Sequence, residues 1–132
     1  VMAISTTLQL GQTSEIEVIV DEMQTALKMG SGRRLVLATP ALVALMEKAS
    51  QQIIDNHVSE GWESIGTSIN VVHDSMTPVG MTVKIKAELI DFDGKEAVFK
   101  INAYDDQGQI GSGNHRRRLA KTRALLRLLN QK

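Results

Sequence analysis

Three side chains in this sequence are suited by type and position to acid–base chemistry: His73, Glu47 and Thr39. Thr67, Ile69, Val71 and His73 recur with period two, which turns the histidine toward the apolar side of a strand. Held out of bulk water there, its pKa and tautomer can be tuned. The same position also suits a core histidine satisfied by one hydrogen bond. Glu47 falls at helical spacing beside Val43 and Ile54, on the border of an apolar stripe, with Lys48 pointing away. A carboxylate on that border can reach a cleft, and partial burial makes a better base. A solvated helix-edge glutamate has the same spacing. Thr39 stands before Pro40 at a helix mouth. As an N-cap it would stabilise the helix by about 1 kcal/mol. Its hydroxyl would also lie among free backbone N–H groups, which favour negative charge developing on an oxygen. The two roles are not exclusive. Gly66, ahead of His73, has no side chain to stop its backbone N–H from approaching a ligand. A turn or bulge would ask for the same residue.

The other candidates are weaker. His57 falls at the expected helix end, on the surface, and His115 lies among arginines that disfavour its protonated form. No pair has the HExxH spacing of a metal site, and there is neither a GxSxG elbow nor a phosphate-binding P-loop. Gly111-Ser112-Gly113 is too short to count as a nucleotide loop. Arg116, Arg117, Arg118, Lys121 and Arg123 crowd the C-terminal end. They read as a solvated strand end or as partners for the phosphates of an anionic ligand.

Bulk properties narrow the function class. The 132 residues amount to one domain, 1–132, with room for a core that needs no staples. The absence of cysteine removes disulfides and thiol nucleophiles and fits a reducing cytoplasm. Fifteen basic and 15 acidic residues cancel, so no global field draws the chain to nucleic acid or an anionic membrane. Aromatics, at 3%, are too few for base-stacking platforms. No apolar run approaches a membrane span, and the start lacks the order of a secretory signal. Val1 ahead of Met2 reads as an addition to a native start.

The elements that must carry these residues follow from periodicity. Ser14 to Val20 alternates as a first strand. Asp21 to Arg34, broken by Gly30, Ser31 and Gly32, reads as a mobile connection with at most one helical turn. Leu42, Leu45, Met46, Ala49 and Ile53 form a helical stripe that begins at Thr39 and ends near His57. Strands follow: one carrying His73, one with Val83, Ile85, Ala87 and Leu89 on a face, and one with Ala97, Phe99, Ile101 and Ala103. A last strand spans Gln109 to Leu119. Asp93-Gly94 and Asp105 to Gly108 are turns. Thr122 to Leu129 can form a short helix within a tail that runs to Lys132. The sum is an α+β chain, one helix packed on an antiparallel sheet of about five strands.

These residues together resemble the fluoroacetyl-coenzyme A thioesterase family. The resemblance runs from about Val36 to Arg118: Leu37-Ala38-Thr39, then Leu45-Met46-Glu47, Ser64-Ile65-Gly66-Thr67 and Val72-His73. It continues through Thr77-Pro78, Gly80, Ile110-Gly111-Ser112-Gly113, His115 and Arg117. It implies a hotdog fold, a long helix wrapped by a curved antiparallel sheet, working as a homodimer with sites at the interface. It implies a catalytic set carried by Thr39, Glu47 and His73, with Gly66 and Arg117 in substrate contact. The implied activity is hydrolysis of a small acyl-CoA in the cytoplasm, with no metal or cofactor beyond the coenzyme A of the substrate, and with no nucleic-acid or membrane partner. Two rivals use the same ligand class: an enoyl-thioester hydratase or dehydratase, and a non-catalytic acyl-CoA-binding domain. One departure stands out. The fluoroacetyl-specific enzyme closes its site with a phenylalanine-bearing lid, whereas segment 21–35 here offers Met23, Leu27, Met29 and Leu35. That composition predicts a looser aliphatic lid without fluoroacetyl preference.

Overall fold

Period-two alternation produces five strands, and a computed structural model describing residues 6–132 arranges them in one sheet. Residues 1–5, and with them the reading of Val1 and Met2, lie outside the described residues. The strands are β1 (Thr13–Ile19), β2 (Trp62–His73), β3 (Thr82–Phe92), β4 (Glu96–Asp105) and β5 (Gly108–Lys121). All pair antiparallel in the order β1-β3-β4-β5-β2, which leaves β1 and β2 as the two edges. Short helix α1 (Ala26–Met29) and long helix α2 (Thr39–Asp55) lie between β1 and β2, and α3 (Thr122–Asn130) ends the chain.

Helix α2 packs on the sheet because its stripe and the inward strand positions are both apolar. Leu42, Met46, Ala49, Ile53 and Ile54 are fully buried, as are Ile85 and Leu89 of β3 and Phe99 and Ile101 of β4. Each such large side chain stabilises the fold by roughly 1.5–3 kcal/mol. Gly113 lets the helix come close to the β5–β2 side of the sheet. A Cβ there would stand 2.9 Å from the Asn70 carbonyl and 3.1 Å from the Met46 sulfur.

Three local features depart from the periodicity reading, and each has a physical reason. First, Ala38 is the N-cap of α2, Thr39 is its first helical residue, and no side chain caps the helix. The Thr39 hydroxyl is therefore not spent on the backbone. Second, β2 carries a bulge: Gly66 pairs with Arg117 and Ser68 with Arg116, leaving Thr67 as an extra residue. Alternation restarts after it, so Gly66 shares the helix-facing side with Ile69, Val71 and His73, while Thr67 is exposed. Third, segment 21–35 is more built than a slack connection. Asp21 and Gln24 form a capping box over a turn of 3₁₀ helix, and the Thr25 hydroxyl accepts the Lys28 N–H at the start of α1. Gly30 closes α1 in the left-handed conformation at φ 76°. Among the described residues, no helix is long and apolar enough to cross a membrane.

Candidate active site

The start of α2 and the end of β2 meet, and there the Thr39 Oγ1 lies 2.8 Å from His73 Nδ1. The helix supplies the threonine one residue past its cap, where the hydroxyl is free. The strand supplies the histidine at its last residue, turned inward by regular alternation with Ile69 and Val71. The other ring nitrogen, Nε2, is buried and has no hydrogen-bond partner among the described residues. Burial lowers the His73 pKa below its usual value, opposed by the Asp74 carboxylate and the Ser75 backbone. A neutral imidazole with an unsatisfied nitrogen is equipped to take or give a proton. The pair opens on a cleft of about 310 Å³ whose walls include Ala26, Ser31, Val36 and Met76.

A second cluster forms farther along the same two elements. Gly66, Glu47, His115 and Arg117 converge. A Cβ on Gly66 would lie 3.0 Å from Glu47 Oε2, 3.0 Å from His115 Cε1 and 3.3 Å from Arg117 Nη1. The glycine is thus needed for space, and the bulge places it on this face. Arg117 Nη1 stands 3.9 Å from Glu47 Oε2, with the arginine side chain 7% exposed and the glutamate 41%. Strand parity splits the basic run: Arg117 is buried while Arg116 and Arg118 are exposed. Arg117 Nε donates to Ser64 Oγ at 2.8 Å and Nη2 to the Ser64 carbonyl at 3.1 Å. Burial lowers the Arg117 pKa, opposed by Glu47 and Asp55. A guanidinium nonetheless stays charged.

Within one chain, Thr39 meets His73, and Glu47 meets Gly66 and Arg117, but the two groups do not meet. Eight residues of helix separate Thr39 from Glu47, roughly 12 Å along the axis. His57, expected on the surface, is half-buried and bonds the Ile53 carbonyl through Nδ1 at 2.8 Å. Periodicity missed Ser64 as an arginine anchor and the small cleft residues Ala26 and Ser31. Met23, Leu27, Met29 and Leu35, named for the lid, are largely exposed and do not line the cleft.

Known proteins match this arrangement. The family described as fluoroacetyl-CoA-specific thioesterase matches residues 20–123. A fluoroacetyl-CoA thioesterase of Streptantibioticus cattleyicolor is 39% identical over 82 residues, covering 62% of this chain. The aligned stretch spans 59% of that relative's length. A solved structure of a fluoroacetyl-CoA thioesterase superposes with a TM-score of 0.87 at 28% identity, covering 95% of this chain and 97% of the other. A hot-dog-like protein from Thermanaerovibrio acidaminovorans shares the fold at a TM-score of 0.86 and 20% identity, over 92% and 90% of the two chains. The fold is the hotdog.

Proposed function

The chain belongs to the fluoroacetyl-CoA-specific thioesterase family, and on that premise we propose that it hydrolyses a small acyl-CoA to the free acid and coenzyme A. The observation that carries this reading is the Thr39–His73 pair at the mouth of the cleft, with His73 Nε2 buried and unpartnered. A thioester carbonyl seated there needs an attacking oxygen, a group to polarise its own oxygen and a proton for the leaving thiolate. Glu47 takes a proton from the attacking water, or attacks the carbonyl itself to form an anhydride that water then cleaves to the free acid. The Gly66 backbone N–H polarises the carbonyl oxygen as it becomes an oxyanion. His73 relays to the departing sulfur the proton that water gives up, and Thr39 orients the imidazole. Arg117 lies beside Glu47 and faces the anionic substrate. Nothing in this sequence of steps asks for a metal or a redox group.

The reading includes a homodimer with shared sites. Edge strand β2 is twelve residues long and exposes Ile65 and Val72. Unpaired edge groups and exposed apolar side chains favour pairing with a second copy. Antiparallel pairing about a two-fold axis beside Asn70 would set His73 opposite the partner's Gly66. Both residues sit on the helix-facing side because of the bulge at Thr67. One two-fold contact would then join the two halves that a single chain keeps apart. A chain without cysteine suits the reducing cytoplasm, where we place it.

The test is a panel of acyl-CoA and enoyl-CoA thioesters followed for free thiol and, by mass, for hydrated thioester. Thiol release supports hydrolysis. Hydrated product without thiol would make the protein a hydratase, and binding without turnover would make it a sensor.

A further inference from the structure

His115 is the most deeply buried ionisable side chain of the second cluster, 1% exposed, and the mechanism above gives it no task. Its bonds define its chemical state. Nδ1 lies 2.8 Å from the Ser68 carbonyl, which only accepts, so Nδ1 must carry the hydrogen. Nε2 lies 3.1 Å from Arg117 Nη1, which only donates, so Nε2 must present a lone pair. Both contacts are satisfied only by the neutral Nδ1–H tautomer.

We propose that His115 is a positioning residue that holds the Arg117 guanidinium at the Glu47 carboxylate. The guanidinium is pinned on three arms: Nε and Nη2 on Ser64, and Nη1 on His115. The Nη1 arm is the one that faces Glu47. Ser64 fixes the plane of the group, and His115 fixes the swing of the Nη1 end. The charged groups around the ring agree with a neutral state. Arg117 on β5 disfavours the imidazolium, and Glu47 on α2 partly offsets it. Strand β2 brings the Ser68 carbonyl, and β4 brings the Phe99 ring at 6.5 Å between centroids. Burial is the largest influence and lowers the His115 pKa. Protonation of Nε2 would turn an N–H toward Nη1 and break the clamp.

The proposal rests on the thioesterase reading only in its kinetic arm, so two measurements keep the two apart. Nitrogen-15 NMR of the imidazole in the wild-type protein reads the tautomer without any substrate. The expected result at pH 7 is a protonated Nδ1 and a lone-pair Nε2. An Nε2–H tautomer or an imidazolium would overturn the proposal whatever the activity proves to be. The second measurement compares His115→Gln with His115→Asn. A glutamine oxygen can reach the Nε2 position and accept from Arg117, whereas asparagine can replace only the bond to Ser68. The glutamine variant should keep kcat within a few-fold of wild type, and the asparagine variant should lose roughly tenfold or more in kcat with KM little changed, as misplacing a reacting group does. Equal kcat in the two variants would overturn the clamp.

Discussion

Thr39 Oγ1 stands 2.8 Å from His73 Nδ1 across 34 residues of sequence, joining the first residue of α2 to the last of β2. That contact engages the threonine hydroxyl, and the helix start does not use it as a cap. A capping hydroxyl accepts from a backbone N–H of the first turn. Here the cap position belongs to Ala38, so the hydroxyl is left to the imidazole.

Glu47→Gln and His73→Ala should each lower turnover by roughly 10²-fold or more, the usual loss when an acid–base group is removed. The glutamate side chain is 41% exposed and the histidine is at a strand end, so both variants should remain folded. Steady-state kinetics with thiol detection, paired with circular dichroism, checks this. Wild-type turnover in either variant would remove that residue from the mechanism.

Gly66→Ala should cost activity more than stability. The backbone at Gly66 lies in β2 and is not left-handed, so alanine introduces no backbone strain. Glycine within a strand is itself destabilising by roughly 0.5–1 kcal/mol relative to alanine. The new methyl would press on side-chain ends, Glu47 Oε2 and His115 Cε1 both at 3.0 Å, and the carboxylate has solvent to move into. His115 is buried and held at both ring nitrogens, so it cannot give way as the carboxylate can. The melting temperature should fall modestly while kcat falls roughly tenfold or more. Unchanged kcat in the folded variant would show that the carboxylate position is immaterial.

The core strands were legible because their signal is local. Val83, Ile85, Ala87 and Leu89, and after the Asp93–Gly94 turn Ala97, Phe99, Ile101 and Ala103, alternate without interruption, and all eight are fully buried. The site was less legible because it depends on non-local pairings and one irregularity. The bulge at Thr67 reverses the parity of Gly66 relative to His73, which no hydrophobic pattern reveals. Arg117 finds Ser64 from 53 residues away, through the β2–β5 register. The same register brings His115 to Ser68 and Gly66. The basic run Arg116 to Arg118 looked uniform, yet alternation buries only its middle member.

Stability should fall on acidification starting near pH 6.5. Both His73 and His115 have folded-state pKa values below their usual 6.5, each mainly through burial. Below 6.5 the unfolded chain therefore binds more protons than the folded one, and stability decreases as pH falls. The contribution is fully present above 6.5 and is lost as pH drops through the folded-state values. Denaturant midpoints between pH 8 and pH 5 check this. His115→Gln should flatten part of the slope, and a profile as steep as wild type would show that His115 is not one of the titrating groups.

Acetyl-CoA and fluoroacetyl-CoA should be turned over with similar kcat/KM. The lid segment contains no aromatic residue, and its Met23, Leu27, Met29 and Leu35 stand exposed away from the cleft. Small residues Ala26 and Ser31 line the cleft instead. Fluorine in place of hydrogen is a smaller change than a methylene, and even a methylene discriminates by only roughly 10- to 200-fold in an apolar pocket. A thousandfold preference for the fluorinated substrate would mean that the lid closes in a way this arrangement does not anticipate.

The shared-site arrangement can be decided by complementation. In one chain His73 is held by Thr39, whereas Glu47 lies two helical turns farther on beside Arg117. The roughly 12 Å between Thr39 and Glu47 along the axis exceeds any direct hydrogen bond. If the partner closes the gap, each site takes His73 from one chain and Glu47 from the other. Chains carrying His73→Ala and Glu47→Ala, with different affinity tags, would be co-expressed and the mixed dimer purified through both tags. Two-fold symmetry then leaves one site with both residues intact and one with neither, so activity should return to about half of wild type. Each single-variant homodimer should stay at its own low level, which sets the background. If instead each chain builds its own site, every site in the mixed dimer lacks one of the two groups. A mixed dimer no more active than the homodimers would place Glu47 and His73 of the same chain in one site and exclude the two-fold pairing through β2 as the source of the active centre.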